Sequence, residues 1–579
     1  METLSPGDPV MDALRDCGRR MTKIALFSGA SNFLTLSGSI YMLQVYDRVI
    51  PGRNLSTLAS LSVMLVLAYL LQGYLDALRS RMLARTAAIF DISLQGSVFD
   101  AVAMMPLLGV QATEARQPAL DIESIRTFLS SMGPTALLDI PWTPLFALLL
   151  FLFHPLIGVA AVIGAAGIIG VTILTDKRSA ASIAQASRWL AQRHAWADST
   201  QHNAEVITAL GMLPALRTRW LQINAKALRE QIVTMDILAR MGASGKVMRY
   251  ALQSAILGLG AYLVITDRAS AGIMIASSII MGRALAPIEI ALGTWRQWVA
   301  ARQAFVRLRD DLQRAARQTP KGSTSRPKKS LSVRNLSVAA PDAARPILSN
   351  VSFDLEASMG LAIVGPSAAG KTTLAKALVG VWPASSGVVK LDDLPLEHWR
   401  TETFGRALGY LPQEVSLFNG TIAENIARFD GTTPPSAIVE AALLADAHEM
   451  ITAMPNGYHT AIGEGGVRLS AGQRQRVGLA RAAFGNPFLV VLDEPNSNLD
   501  QEGEMALDNA VRALRRAGSI VIVISHRPKA VRSLGRLLVL VKGRMLAFGT
   551  HRQVSAALAT LSTPGSAVEA AAPTVAGNP

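Results

Sequence analysis

The sequence predicts an α-helical six-span membrane domain fused to a soluble α/β P-loop domain. Three observations predict it. Six apolar windows fall before about residue 292. From Leu331 the pattern changes to short apolar strands alternating with helices. Within that second half, Gly365-Pro-Ser-Ala-Ala-Gly-Lys-Thr-Thr373 stands between a strand and a helix, the context a phosphate-binding loop requires. Composition agrees. The chain has 579 residues, more than one ordinary domain; half are apolar and 17% are charged, against roughly a quarter in soluble proteins. A mean hydropathy of +0.31 argues against a wholly soluble chain and against a disordered one.

Residues 1–20 read as a short cytoplasmic N-terminus, acidic at first and then basic at Arg15, Arg19 and Arg20. No A-x-A-like cleavage site follows the first apolar stretch, so that stretch is expected to remain as a span. The windows cover residues 24–43, 55–75, 135–153, 156–175, 250–265 and 271–292. Most reach the ~20 residues that cross a bilayer core, and the fifth is expected to extend at one end. Residues 147–175 are almost free of charge on both sides of His154-Pro155, which disfavours buried helices of a soluble core.

Charge sets the orientation. Gaps after the first, third and fifth windows are short and hold only Arg48, Arg53 and Arg268 as cations. Gaps after the second and fourth are long and rich in Arg and Lys, so they and both termini are expected in the cytoplasm. Apolar residues at helical spacing over 183–196 and 206–223 predict that the spans continue there as helices. This placement absorbs most of the +14 formal charge and leaves no need for nucleic acid. The single cysteine, Cys17, excludes an intrachain disulfide and a Cys-based metal site. Asp139, Arg283 and Glu289 lie inside apolar windows. Such charges either line or gate a watery path, or they pair structurally or sit near the cytoplasmic level, and the sequence leaves these readings open.

The membrane part is bounded at 21–318. Residues 319–330 form a polar linker, 331–560 the α/β domain, and 561–579 an Ala/Pro/Gly/Thr-rich tail expected to be disordered. In the loop, Gly365, Pro366, Ser367, Ala368, Ala369, Gly370, Lys371, Thr372 and Thr373 are the candidate nucleotide ligands. Glycines let backbone N–H groups wrap phosphate oxygens, Lys371 reaches the outer phosphates, and the Thr372 hydroxyl ligates Mg²⁺. An apolar strand at 488–492 ends in Asp493 and Glu494. Asp493 suits Mg²⁺ and Glu494 suits the general base that polarises the attacking water.

Leu469-Ser-Ala-Gly-Gln473 lies between these two elements, and here the resemblance becomes specific. The chain resembles the ATP-binding-cassette ATPases, with Ala471 where the family carries glycine. The resemblance implies ATP and Mg²⁺ as cofactors, Gln413 as the Q-loop glutamine touching Mg²⁺ and the reaction, Asp500 in the D-loop Asn498-Leu-Asp500, and His526 as the switch histidine. It also implies that Ser470, Gly472 and Gln473 of one subunit cap the ATP of another, so one copy of each motif implies a homodimer. Gln413-Glu-Val-Ser-Leu-Phe-Asn-Gly420 and Ile462-Gly-Glu-Gly-Gly466 are similar to the exporter forms of the Q-loop and X-loop.

Tyr41-Met-Leu-Gln-Val-Tyr-Asp-Arg-Val-Ile-Pro51, Asp139-Ile-Pro-Trp-Thr-Pro144 and Gly282-Arg-Ala-Leu-Ala-Pro-Ile-Glu289 resemble the type I secretion permease/ATPases, most closely the PrtD type. That resemblance implies a bacterial inner-membrane ABC exporter that moves unfolded protein with a C-terminal signal. It implies a periplasmic membrane-fusion adaptor and an outer-membrane channel as partners. The short N-terminus leaves no room for the peptidase-like domains of related exporters. A flippase of lipids or small amphipathic molecules is the alternative, and the first- and third-span motifs argue against it. A soluble nucleic-acid ATPase is disfavoured by the six windows, and a regulatory cassette with dead sites by Lys371, Glu494 and His526. One departure stands out. Most cassettes stack adenine on an aromatic residue shortly before the P-loop, whereas residues 331–350 contain none.

Overall fold

A computed structural model describes residues 9–110, 112–316, 325–341, 345–399, 401–463, 466–497, 499–525 and 534–561. The Glu464-Gly465 pair, Asn498, His526, the first half of the 319–330 linker and almost all of the tail lie outside the described residues. The fold divides near residue 317 into two units.

In the first unit the apolar windows are helices. Five described helices are long and apolar enough to cross a membrane: Leu55–Leu108, Gly133–Phe153, Pro155–His202, Leu213–Ile265 and Ala271–Gly293. The first window departs from a single uninterrupted span. It is shared between Pro9–Thr35 and Ser37–Gln44, followed by a π-helical turn at Val45–Val49. The cause is polar: the Ser37 hydroxyl donates back to the Leu34 carbonyl, a bond that bends helices, and Ser28, Ser31, Asn32 and Thr35 crowd the same stretch.

The long helices run past the lipid, as the helical spacing predicts. Pro155–His202 has 48 residues and Leu213–Ile265 has 53. At 1.5 Å per residue each spans roughly 70–80 Å, against about 30 Å of bilayer core. The fifth window thus extends at its N-terminal end. Gly211, with φ of 63°, turns the chain between these two helices. At the opposite end His154 is extended, and its Nδ1 accepts a hydrogen bond from the Leu156 N–H while Pro155 opens the next helix.

Two apolar cores hold this unit. Phe146, Leu150, Ile157, Ile256, Leu263 and Leu285 pack among the spans. Val10, Cys17, Phe90, Leu94, Ile125 and Leu308 pack the helix extensions together. Beside the second core, Arg307 pairs with the buried Asp121 at 2.6 Å. The intramembrane charges now separate. Asp139 pairs with Arg79 at 2.9 Å and accepts from Asn32. Glu289 pairs with Arg249 at 3.1 Å. Pairing therefore describes both carboxylates. Arg283 is exposed and forms no ion pair among the described residues.

Among the described residues the second unit carries twelve strands: β1 Ser330–Ala339, β2 Pro346–Glu356, β3 Gly360–Val364, β4 Ser386–Leu391, β5 Leu394–Pro395, β6 Leu408–Leu411, β7 Gly420–Thr421, β8 Ala461–Ile462, β9 Leu489–Asp493, β10 Ile520–Ile524, β11 Arg536–Val541 and β12 Arg544–Gly549. An antiparallel sheet runs β2-β1-β4-β5, and a larger sheet runs β12-β11-β3-β10-β9-β6. In the larger sheet every pairing is parallel except β11 with β12. Its central strands are continuous apolar runs, the pattern of a sheet covered on both faces. Because β3, β6, β9 and β10 run parallel, the segments that follow them emerge at one edge. Those segments carry the P-loop, Gln413, Glu494 and Ser525, and in open α/β sheets that edge is where ligands bind.

Candidate nucleotide site

The loop after β3 is shaped by its glycines. Gly370 caps the helix Lys371–Leu378 with φ of 94°. A Cβ on Gly365 would run into the Leu540 carbonyl. Ala368 takes φ of 62°, a left-handed conformation that costs an L-residue about 1–2 kcal/mol. The loop is braced from β11–β12: the N–H of Gly543, in the Lys542-Gly543 hairpin turn, donates to the Ala369 carbonyl at 3.2 Å. Pro366, Ser367 and Ala368 are exposed, whereas Ala369, Gly370 and Thr373 are buried. Lys371 is only 6% exposed, and its ammonium donates to the Gly365 and Pro366 carbonyls at 2.9 Å each. Burial holds that ammonium below its usual range, and the charges of Glu494 and Asp493 oppose the shift.

Asp493 ends β9 and is 1% exposed. Neither of its oxygens has a hydrogen-bond partner among the described residues. Burial raises its pKa, while the Thr372 hydroxyl lies near enough to pull the other way. A buried, unpartnered carboxylate is costly unless something answers its charge. Mg²⁺ fits: it binds through one or two carboxylates plus substrate phosphates, and no cluster of three or more His, Cys, Asp or Glu occurs among the described residues. Thr372 and Asp493 would hold it, and when bound it would neutralise charge on the outer phosphates. Tyr410, on β6, has its phenol pushed up to about 12 by burial and by Asp493, so it stays protonated.

Glu494 takes φ of 49°, and its N–H donates to the Ile524 carbonyl at 3.0 Å. Its Oε2 accepts from Gln413 Nε2 at 3.3 Å. The P-loop lysine, Asp493, Glu494 and Gln413 thus come together at one sheet edge. Among the described residues Ser470 directs its Oγ and N–H to Gln473 and not to this group. It caps the helix Ala471–Ala483 in a capping box: its Oγ accepts from the Gln473 N–H at 3.2 Å, and its own N–H donates to Gln473 Oε1 at 2.9 Å. Gly472 sits in the first turn of that helix. Ser470 itself is exposed, so a dipolar helix end faces outward. Asp500 caps the helix Gln501–Arg516, accepting from the Gly503 N–H at 2.8 Å, and lies 3.7 Å from Arg476. His526 comes after Ser525 in the sequence and lies outside the described residues.

Residues that sequence reasoning missed are those that act by bracing. Gln475 is buried behind Glu494 and donates to the Pro495 carbonyl at 2.7 Å. A glutamine on the apolar side of the helix after Ser470 was its available signal. The contact of the Gly543 turn with the P-loop left none, because it depends on sheet order.

Residues 348–497 match the ABC transporter family, and residues 21–285 match the ABC transporter transmembrane region. The chain is 45% identical over 542 residues to the type I secretion system ATP-binding protein PrsD of Rhizobium meliloti (strain 1021), covering 94% of this chain and 93% of that one. It is 28% identical over 523 residues to the leukotoxin translocation ATP-binding protein LktB of Mannheimia haemolytica, covering 89% and 73%. Among solved structures, a bacterial Atm1-family ABC exporter with ATP bound superposes with a TM-score of 0.80 at 22% identity, covering 94% of this chain and 98% of that one. That last likeness speaks for the fold.

Proposed function

The chain belongs to the ABC transporter family, as a type I secretion exporter of the inner membrane with a cytoplasmic cassette that couples ATP hydrolysis to export, and we propose that it moves unfolded polypeptides bearing a C-terminal secretion signal. The observation that carries this reading is the 45% identity to a secretion protein along nearly the whole of both chains. The family's periplasmic adaptor and outer-membrane channel are its expected partners. In this reading Lys371 and the P-loop N–H groups hold the phosphates of ATP, Thr372, Asp493 and Gln413 serve Mg²⁺, and Glu494 takes the proton of the attacking water. His526 serves as the switch histidine.

The exposed, self-capped Ser470 helix supports a homodimer, in which that helix end covers the nucleotide of the other subunit. Mixing a Lys371→Ala chain with a Ser470→Arg chain tests this. Each homodimer lacks both complete sites, while the heterodimer keeps one. Nucleotide occlusion should return in the mixture or in a tandem fusion. Absence of any recovery in both would refute sharing between subunits.

The missing aromatic residue has a measurable consequence. Arg334, Arg345 or Tyr458 could reach the base instead, and two of these three are already engaged: Arg334 pairs with Asp354 at 2.8 Å, and the Tyr458 hydroxyl bonds His448 Nδ1 at 2.9 Å. Base stacking is worth about 1–3 kcal/mol, so affinity should rest mainly on phosphate contacts. ATP and GTP should show similar KM values, and Ala340→Tyr should lower the KM for ATP. A strong ATP preference unchanged by Ala340→Tyr would sink the idea.

A further inference from the structure

We infer that Gln475 is a positioning residue for ATP hydrolysis: its carboxamide holds the peptide after Glu494 and so fixes where the Glu494 carboxylate points. The inference rests on the reading of Glu494 as general base. Gln475 is 1% exposed in a helix whose neighbours Val477, Leu479 and Ala480 are also buried. A carboxamide in such surroundings must be hydrogen-bonded to be tolerated. Its Nε2 donates to the Pro495 carbonyl at 2.7 Å and reaches the Glu494 carbonyl at 3.4 Å.

Those carbonyls lie on the C-terminal side of a strained residue. Glu494 has φ of 49°, a region that residues with a Cβ enter only when the surroundings impose it. On the strand side, the Glu494 N–H donates to the Ile524 carbonyl at 3.0 Å, and the Ser497 N–H closes a turn onto the Glu494 carbonyl at 3.2 Å. Gln475 supplies the hold from the helix side. With the backbone fixed this way, the carboxylate meets Gln413 at 3.3 Å. Without the donor, the peptide can relax towards negative φ, and the carboxylate swings away from Gln413. The same helix begins at the exposed Ser470 cap, and Arg476, the next residue, pairs with Asp446 at 3.2 Å. One rigid element therefore joins the surface offered to a second subunit with the base of its own site.

The test uses the purified full-length transporter. Gln475→Met keeps length and volume but removes the donor. It should lower kcat about 10- to 100-fold, because an error of about 1 Å in placement costs that much. KM for ATP and the thermal shift caused by Mg·ATP should stay near wild type, which a general packing defect would not allow. Gln475→Glu, which cannot donate when ionised, should lose at least as much kcat. Added to Glu494→Gln, Gln475→Met should cause no further loss. Wild-type kcat in Gln475→Met, or a full additional loss on top of Glu494→Gln, overturns the inference. The two readings fail separately. Normal hydrolysis by Glu494→Gln removes the base assignment, whereas a dead Glu494→Gln with a normal Gln475→Met removes only the positioning role.

Discussion

Glu494→Gln is expected to lower ATP turnover by about 10²–10⁴ while nucleotide still binds. The substitution keeps size and removes only the basic oxygen. Binding depends mainly on other groups: the Lys371 ammonium, which donates to the Gly365 and Pro366 carbonyls, and the loop shaped by Gly365 and Gly370. Gln413 Nε2 donates to Glu494 Oε2 at 3.3 Å, and an amide oxygen in the same place can accept that bond. The loss should therefore appear in kcat, not in affinity. Hydrolysis by the purified variant, set beside its binding of a slowly hydrolysed ATP analogue, checks both halves. Near-normal turnover would refute the assignment.

The sequence shows such a site clearly because its parts are local. The P-loop is one turn between β3 and a helix, and its glycine spacing is dictated by the backbone itself: Gly370 needs φ of 94°, and Gly365 has no room for a Cβ. The β9 strand is a run of four buried apolar residues ending in Asp493, legible as a buried strand with an acid at its tip. The capping box at Ser470 and Gln473 is likewise a four-residue pattern. What stayed hidden depends on distance in the sequence. That Gln413 would meet Glu494 follows from the pairing of β6 with β9, which no spacing encodes. The split of the first span was also hidden, because its apolar count reads as continuous while its serines bond the backbone. Among the intramembrane charges, the sequence named Asp139 and Glu289 but not their partners, because Arg79 and Arg249 lie in helices far along the chain.

Replacing Asp139 by leucine while Arg79 remains is expected to cost about 3–5 kcal/mol, the usual penalty for stranding one partner of a buried pair. Arg79 and Asp139 are 11% and 12% exposed at their side chains, so water cannot repair the loss. The pair joins three helices. Arg79 also donates to the Ser28 hydroxyl at 3.1 Å and lies 3.3 Å from Asp76, whereas Asn32 donates to Asp139 at 2.7 Å. Asp76 is itself 42% exposed and bonded to Ser31, so it offsets only part of the stranded charge. Asp139→Asn keeps an acceptor for Asn32 and Arg79 and should cost less than Asp139→Leu. The double variant Arg79→Met/Asp139→Leu removes both charges at once and should recover most of the loss, because a buried pair gains little over apolar residues of similar size. Thermal unfolding of the solubilised transporter should rank the wild type and the double variant above Asp139→Asn, and Asp139→Leu lowest. If the double variant falls as far as the sum of the two single changes, the charges are not coupled, and this contact does not hold the first three spans together.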